Sequence, residues 1–431
     1  MRRILSSIVF TVALLCPWIA HAQAPPTSCG TTAQNIWVRD ALNLWYYWYQ
    51  YLPPGVIPSN FKSPEEYLEA VRYRPIDNTF SFITSAESND AFYGDSQYVG
   101  YGFSNQTTSV EILVTQVYPD SPASQAGLSR GDRIVTVNGR SVSTMVADGT
   151  IGGAFGAATI GVATTIDWET TAGERRSARM VKRVVTIPTV SLTSVTEVDG
   201  RKVGYLFFRN FVEPSTEALT NAFAALKAAG VTELVLDLRY NGGGLVDVAV
   251  HLASLIGGTR TNGQVLLNYV HNDKIGPVRD KTVRFANPEQ ALNLQRLVVI
   301  TTHGSASASE LVINSLRPYM PVTIVGDTTY GKPVGQVGLR FCDKVLYPVA
   351  FSIKNANLEG DFFDGLAADC AAGDDYKHQL GDVAEASLAE ALTFIRTGAC
   401  TPKSTEQRLR AQRLPGFVFR PTGWQSILNA Q

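Results

Sequence analysis

Serine residues cluster at a predicted strand-to-helix turn in a pattern that suits nucleophilic catalysis. Residues 303–310, HGSASASE, place three serines and small neighbours in front of an apolar run that predicts a helix. Backbone N–H groups and the positive end of a helix dipole meet at such a turn, and both stabilise negative charge. An oxyanion formed by attack of a serine hydroxyl on a carbonyl would therefore be stabilised there. One of these serines is also expected to cap the helix.

Two further segments could supply a base and an oxyanion hole. Lys332 lies between glycine and proline in residues 328–336, TTYGKPVGQ, an apolar setting that is unusual for a solvated surface charge. Burial disfavours the ammonium form, which lowers the pKa of a lysine and lets the neutral amine accept a proton. Residues 237–244, DLRYNGGG, read as a buried strand that enters a glycine turn, where exposed N–H groups could bind an oxyanion. Each segment on its own also fits an ordinary loop.

Taken together and in this order, the three segments resemble the carboxyl-terminal processing (tail-specific) protease family, over roughly residues 95–400. The resemblance implies that Ser307, the second serine of SASASE, is the nucleophile of a serine peptidase. It implies that Lys332, 25 positions later (332 − 307 = 25), is the general base, and that Gln336 assists the lysine. Pro333 departs from the glycine that usually follows the family's lysine, so it constrains the backbone next to the base.

The same resemblance assigns the oxyanion hole to backbone N–H groups. One donor would be Gly243 or its neighbour Gly244, and the other would be Ala308. No metal and no cofactor is predicted, because the chemistry implied by the resemblance needs neither and no histidine stands at metal-ligand spacing near the cysteines.

Other nucleophile schemes fit the sequence less well. The chain has no H-E-x-x-H helix, and its G-x-S-x-G string, GLSRG at 127–131, falls in a predicted glycine turn before a strand and not in a strand-to-helix elbow. Ser59 and Lys62 satisfy S-x-x-K without its companion motifs, so we treat them as a coincidence. His303 stands four positions before Ser307, and a Ser–His pair remains an alternative to the Ser–Lys pair.

An inserted domain with the pattern of a PDZ domain precedes these segments. Residues 110–142 predict a strand at 112–117, a small-residue helix, a glycine turn and a strand at 133–137. The stretch SPASQAGLSRGDRIVTVNG within them resembles PDZ domains. That resemblance implies that a loop holds the carboxylate of a peptide, which would join a sheet edge as an added strand. The candidate peptide-binding residues are Gly100, Tyr101, Gly102 and Phe103.

The rest of the chain alternates strands and helices, which predicts an α/β core. The expected fold is a crotonase-like (ClpP/crotonase-type) protease core with an inserted, mostly-β PDZ-like domain and an N-terminal helical cap. The expected divisions are a signal peptide (1–22), the cap (23–94), the PDZ-like domain (95–190), the α/β domain (191–400) and a C-terminal tail (401–431).

The first 22 residues have the pattern of a secretory signal. Arg2 and Arg3 precede an apolar run, and Ala20-His21-Ala22 offers small residues for cleavage. An uncleaved membrane anchor is the alternative reading, and no later segment is long and apolar enough to span a membrane. We therefore expect an exported protein, periplasmic or extracellular.

Four cysteines remain after signal cleavage, and an oxidising compartment predicts two disulfides with three conceivable pairings. We expect Cys342–Cys370, which closes a short loop, and Cys29–Cys400, which ties the ends of the chain together.

The amino-acid composition limits the kinds of binding partner that are expected. The 431 residues are 45% hydrophobic and carry a formal net charge of −1, which fits folded domains and gives no indication of nucleic-acid binding. Protein or peptide substrates are the expected partners. The rival reading is a non-catalytic peptide-binding protein that retains the protease fold, although such a protein would not need Ser307, Lys332 and Gln336 together.

Overall fold

The computed structural model describes residues 25–402. The predicted signal peptide and all but the first two residues of the predicted tail lie outside the described residues. No helix within residues 25–402 has the length and apolarity to cross a membrane.

The N-terminal cap combines three helices with one strand. Its elements are α1 (Thr31–Trp45), α2 (Pro64–Val71), β1 (Phe82–Ser85) and α3 (Ala86–Asp95). Ser63 caps α2 by accepting a hydrogen bond from the Glu66 N–H. Helix α1 ends at Trp45, because the Tyr47 N–H leaves the helix to bond the Val349 carbonyl.

The PDZ-like unit is a mostly-β body with its own hydrophobic core. Its elements are β2 (Gln97–Gly100), β3 (Phe103–Thr107), β4 (Ile112–Val117), α4 (Pro122–Gln125), β5 (Arg133–Val137), β6 (Arg140–Ser141), α5 (Val142–Ala147), β7 (Ala163–Glu169), β8 (Arg175–Val181) and β9 (Arg183–Thr186). The main sheet runs β3-β4-β5-β7-β8, with β6 beside β5 and with β3 at its edge. Strands β4 and β5 coincide with the predicted ones.

The α/β core alternates helices and strands as predicted. Its elements are β10 (Val190–Val198), β11 (Arg201–Phe208), α6 (Ser215–Ala228), β12 (Glu233–Asp237), α7 (Val246–Gly257), β13 (Val265–His271), α8 (Gly276–Arg279), β14 (Thr282–Arg284), β15 (Leu297–Thr301), α9 (Ala308–Leu316), β16 (Val322–Gly326), β17 (Val334–Gln336), β18 (Leu339–Phe341), β19 (Lys344–Tyr347), β20 (Val349–Lys354), β21 (Cys370–Ala371) and α10 (Ala386–Thr397).

A six-stranded sheet in the order β10-β11-β12-β15-β16-β21 forms the centre of the core. Its strands are parallel except for β10. Alternate residues of β11 point to opposite faces, so Leu206 and Phe208 pack with α6, α7 and α9 while Tyr205 and Phe207 pack on the side of α10. Because these strands are parallel, β12 and β15 both end at the same edge of the sheet, and the glycine turn and the serine turn follow them there.

The cap is joined to the core close to these turns. Strand β1 pairs with β19, and a hydrophobic cluster unites α1 and α2 with Val334, Phe341 and Val349 of the core strands. The cap therefore packs directly on β17, the strand that begins just after Lys332.

The predicted disulfide pairing is wrong. The structure joins Cys29 to Cys342 and Cys370 to Cys400. Cys342 lies in the tight turn between β18 and β19, against the start of the cap, and is thus brought to Cys29. Cys370 lies on edge strand β21. Helix α10 ends beside this strand, and Cys400, which follows the helix, therefore lies next to Cys370. Short separation along the chain is a poor guide because the sheet order decides which cysteines meet.

Candidate active site

Ser307 stands at the junction of β15 and α9 in an unusual backbone conformation. Its φ of +55° and ψ of −112° are rare for a residue with a side chain, and such strain clusters at functional sites. The turn is held by its surroundings. A Cβ on Gly243 would lie 2.8 Å from the Cβ of Ser307 and 2.8 Å from the Ala308 nitrogen, so only glycine lets the two turns approach this closely.

Lys332 lies in an environment that favours its neutral form. Its Nζ donates to Oε1 of Gln336 at 2.6 Å and lies 5.7 Å from the centre of the Phe80 ring. Burial lowers the pKa of Lys332 to about 8, against the opposing effect of the carboxylates of Asp77 and Glu310. A lysine of this kind can accept a proton near neutral pH.

The serine, the lysine and the glutamine line one cavity. Gly244 and Ala308 line it as well. Its remaining wall is largely apolar, and it is formed by Leu245, Val246, Leu311, Val334, Phe351, Ile353 and Phe362. The structure thus brings together the residues that the sequence separates by up to 92 positions (336 − 244 = 92), and it adds an apolar recess beside them.

The oxyanion candidates differ in availability. The Gly243 N–H donates to Oδ1 of Asn241 at 3.0 Å, and the Gly243 carbonyl accepts from Phe211. Among the described residues, no hydrogen bond joins the N–H of Gly244 or of Ala308 to another protein group. Gly244 and Ala308 are therefore better placed than Gly243 to donate to a ligand in the cavity.

Glu310 connects the turn at Ser307 with the turn at Lys332. Its side chain is fully buried, and Oε2 accepts from the backbone N–H of Ser307 at 2.8 Å and of Lys332 at 2.9 Å. Oε1 accepts from the Thr329 hydroxyl at 2.6 Å and from the Gly331 N–H at 2.7 Å. Burial raises the pKa of Glu310, while these four hydrogen bonds act in the opposite direction. One carboxylate thus fixes the two catalytic candidates relative to each other.

The glycine turn is anchored by a buried charge network. Arg239 is fully buried and contacts Asp237 at 2.6 Å and Glu385 at 2.8 Å. Asp374 pairs with Arg239 at 3.1 Å and with Arg130 of the PDZ-like unit at 2.7 Å. Burial alone would raise the pKa of Asp374, but the two guanidinium groups hold it below its usual range. The network therefore ties the strand before the glycine turn to the PDZ-like unit.

His303 and the S-x-x-K pair do not join the cavity lining. The His303 ring contacts Tyr330, with 5.2 Å between ring centres. Ser59 and Lys62 are exposed in the cap. The alternative bases suggested by sequence are thus not placed beside Ser307 in the cavity.

The candidate carboxylate loop lies in the PDZ-like unit, apart from the cavity. Tyr101 and Phe103 are fully buried in its core, and the carbonyls of Tyr101 and Gly102 accept from Ala123 and Tyr118. Gly102 has a φ of +96°, and a Cβ there would overlap the side chain of Ser121. The six-residue α5 is followed by a glycine-rich stretch that forms only a 3-10 turn, Ile151–Gly153.

Sequence reasoning missed the contribution of the cap to this site. The Gln336 side-chain N–H donates to the Phe80 carbonyl, and Asp77 acts electrostatically on Lys332. No local motif marks residues 77–81. The sequence offers only an aspartate and a serine four positions apart, next to aromatic residues. This pattern indicates a turn and does not predict a contact with Lys332.

This arrangement of an α/β core, an inserted PDZ-like unit and a glycine-lined serine turn is a peptidase architecture, and it recurs in known proteins. The model of peptidase family S41 matches residues 202–357, that of the peptidase S41 N-terminal domain matches 33–82, and that of a PDZ domain matches 113–148. Residues 202–357 and 33–82 thus carry the two domains of peptidase family S41, and the chain is similar to carboxyl-terminal processing proteases.

Individual relatives agree with this placement. A probable CtpA-like serine protease of Staphylococcus aureus is 28% identical over 258 residues, which cover 59% of this chain and 48% of that protein. The carboxy-terminal processing protease CtpA of Bacillus subtilis is 27% identical over 270 residues, covering 62% and 55%. The chain thus spans about half the length of the curated relatives it matches. The crystal structure of a putative S41 protease from Bacteroides fragilis superposes with a TM-score of 0.67 at 26% identity, covering 83% of this chain and 96% of that one.

Proposed function

We propose that this protein is an exported serine endopeptidase in which Ser307 is the nucleophile and Lys332 the general base. The observation that carries the proposal is the shared cavity. It places a strained serine, a lysine with lowered pKa and two unengaged N–H groups around one apolar recess. A non-catalytic peptide-binding module does not need this combination of features.

The reaction follows from these positions. The Ser307 Oγ attacks the scissile carbonyl while its proton passes to the neutral Nζ of Lys332, and the N–H groups of Gly244 and Ala308 bind the oxyanion. The tetrahedral intermediate collapses as the lysine ammonium returns its proton to the leaving amine, which leaves an acyl-enzyme. Water then attacks the ester carbonyl and gives its proton to Lys332. Collapse of the second intermediate releases the new carboxyl terminus and returns the proton to Ser307.

Gln336 orients the base in this scheme. Its Oε1 accepts from Nζ at 2.6 Å, while its amide nitrogen donates to the carbonyls of Phe80 and Tyr347. Because the amide is held at both ends, the lysine is kept in a defined position. Pro333 fits this loop, since the strand β17 begins only at Val334.

The PDZ-like unit is the proposed site for the C-terminal ends of substrates. Its edge strand β3 is the place where a peptide could add as a further strand. All five residues of β3 are buried, and Ser104 and Gln106 contact Arg209 and Tyr376 of the core. A peptide that paired with β3 would therefore compete with contacts between the two units.

The core would be crotonase-like, with the cap over residues 23–94 and the PDZ-like domain over 95–190. Export is supported by the signal pattern of the first 22 residues and by two disulfides between the four cysteines of the described chain.

The test is cleavage of a denatured protein mixture, followed by mass spectrometry of the new termini. Ser307→Ala and Lys332→Ala should each abolish cleavage while circular dichroism stays unchanged, and the double variant should lose no more than either single one. Ser59→Ala with Lys62→Ala is the matched control, because this exposed serine–lysine pair lies outside the cavity. If Lys332→Ala still cleaved the substrate and His303→Ala did not, His303 and not Lys332 would be the general base. An inactive wild-type protein that still binds peptide ends would favour the non-catalytic alternative.

A further inference from the structure

A turn of the cap, residues 77–81, lies against the active-site lysine. The Phe80 carbonyl accepts a hydrogen bond from the amide of Gln336, and its ring faces Nζ of Lys332. A further contact joins the hydroxyls of Thr79 and Tyr330 at 3.1 Å, two residues before the lysine. The cap therefore touches both the base and the residue that orients it.

Asp77 organises this turn. Its side chain is fully buried and accepts from the Ser81 N–H at 2.9 Å, from the Ser81 hydroxyl at 2.5 Å and from the Tyr46 hydroxyl at 2.9 Å. Ser81 in turn accepts from the N–H of Val349 at 3.0 Å. One carboxylate thus fastens the turn to the end of α1 and, through Ser81, to β20. An unpaired carboxylate would be costly to bury, and these three hydrogen bonds offset that cost.

The charge of Asp77 also reaches the lysine. Two carboxylates act on Lys332: Asp77 from the cap and Glu310 from α9. Gln336 and the Phe80 ring contact it as neutral groups. Tyr93 of the cap and Tyr347 of β19 line the same cavity, and burial raises the pKa of both phenols, so they stay neutral where the lysine titrates. Burial lowers the pKa of the lysine, and both carboxylates raise it. Without Asp77 the ammonium form would lose one of its two stabilising partners.

We propose that Asp77 is a positioning residue for Lys332, so that the cap completes the general-base site of the core. It acts through the turn 77–81, which holds Gln336, and through its charge. This inference rests on the proposed function, because it needs Lys332 to be the base. A purely structural Asp77 would stabilise the cap without influencing how activity depends on pH.

The experiment compares kcat, KM and the pH dependence of kcat/KM for the wild type and Asp77→Asn with an unstructured peptide substrate. We expect kcat to fall about 10–100-fold, the range seen when orienting partners of a reactive group are removed, with little change in KM. Because Asp77 raises the pKa of Lys332, its removal should also move the acid limb of the profile to lower pH. Asp40→Asn is the matched control. It removes the same charge from an exposed position of the cap and should leave both quantities unchanged.

Two outcomes would overturn the inference. The first is an Asp77→Asn variant whose kcat and whose acid limb both match those of the wild type. The second is an Asp77→Asn variant in which only the melting temperature falls. Should Asp77→Asn fail to fold, Ser81→Ala tests the turn with the charge retained. It should lower kcat and leave the acid limb in place, and wild-type kcat there would equally contradict the proposal. Activity in Lys332→Ala would instead refute the proposed function, so the two failures are distinguishable.

Discussion

At the scale of single residues, the site depends on how buried charges are distributed around Lys332. A shift of the lysine pKa from 10.5 to about 8 raises the neutral fraction at pH 7 by roughly a few hundredfold. Burial produces this gain and the two neighbouring carboxylates limit it. Glu310 also binds the backbone N–H groups of Gly331 and Lys332, and Asp77 holds the cap turn that binds Gln336, so position and protonation are coupled.

Glu310 offers a direct test of that coupling. In Glu310→Gln an amide NH₂ would face some of the N–H groups that the carboxylate now accepts from, so the turns at Ser307 and Lys332 should shift apart. We expect kcat to fall by one to two orders of magnitude, as for other lost positioning contacts. Steady-state kinetics with circular dichroism would measure this.

Glu217→Gln is the matched control for Glu310→Gln. Glu217 occupies the same third position of helix α6 but is exposed, so its loss should cost only about 0.3–1 kcal/mol of stability and no activity. Unchanged kcat in Glu310→Gln would show that its four hydrogen bonds do not position the reacting groups.

At the scale of elements, the two disulfides have different expected effects. Cys29–Cys342 fastens the cap to the β18–β19 turn, whereas Cys370–Cys400 fastens the end of α10 to edge strand β21. Replacing Cys29 and Cys342 by serine should lower both melting temperature and kcat, because the cap supplies the turn that holds Gln336.

Replacing Cys370 and Cys400 by serine should lower stability with little effect on kcat. For a sequence separation of 30 positions, the loop-entropy model gives about 3–4 kcal/mol. Calorimetry and kinetics on both double variants decide the matter. Equal kcat in the two variants would contradict the role assigned to the cap.

Sequence patterns predicted the elements better than the contacts between them. Strand Leu297–Thr301 is an unbroken apolar run with a serine turn behind it, so its limits could be read locally. The disulfide partners and the approach of Asp77 to Lys332 depend on sheet order and on how the cap packs, which no local pattern encodes. Likewise, Gly243 and Gly244 are equivalent in the sequence, and only the hydrogen bond from Gly243 to Asn241 separates their roles.

At the scale of the whole molecule, all three units reach the candidate site. The core supplies the serine, the lysine and the glycine turn. The cap contributes the turn 77–81, and the PDZ-like unit contributes Arg130, which contacts Asp374 and donates to the Tyr240 hydroxyl at 2.7 Å. Tyr240, with a φ of +63°, lies two residues before Gly242, the first glycine of the turn. Displacing the PDZ-like unit would therefore remove one of the two guanidinium groups that pair with the buried Asp374, which is unfavourable.

The central claim is that neutral Lys332 activates Ser307, and the pH dependence of kcat/KM of the full protein tests it most directly. The rate should rise with pH through an apparent pKa of about 8 and level off above it, because only the neutral amine accepts the serine proton. The limb should be absent, together with activity, in Lys332→Ala. A limb near the ordinary histidine pKa of about 6.5 that is retained in Lys332→Ala and lost in His303→Ala would contradict the account.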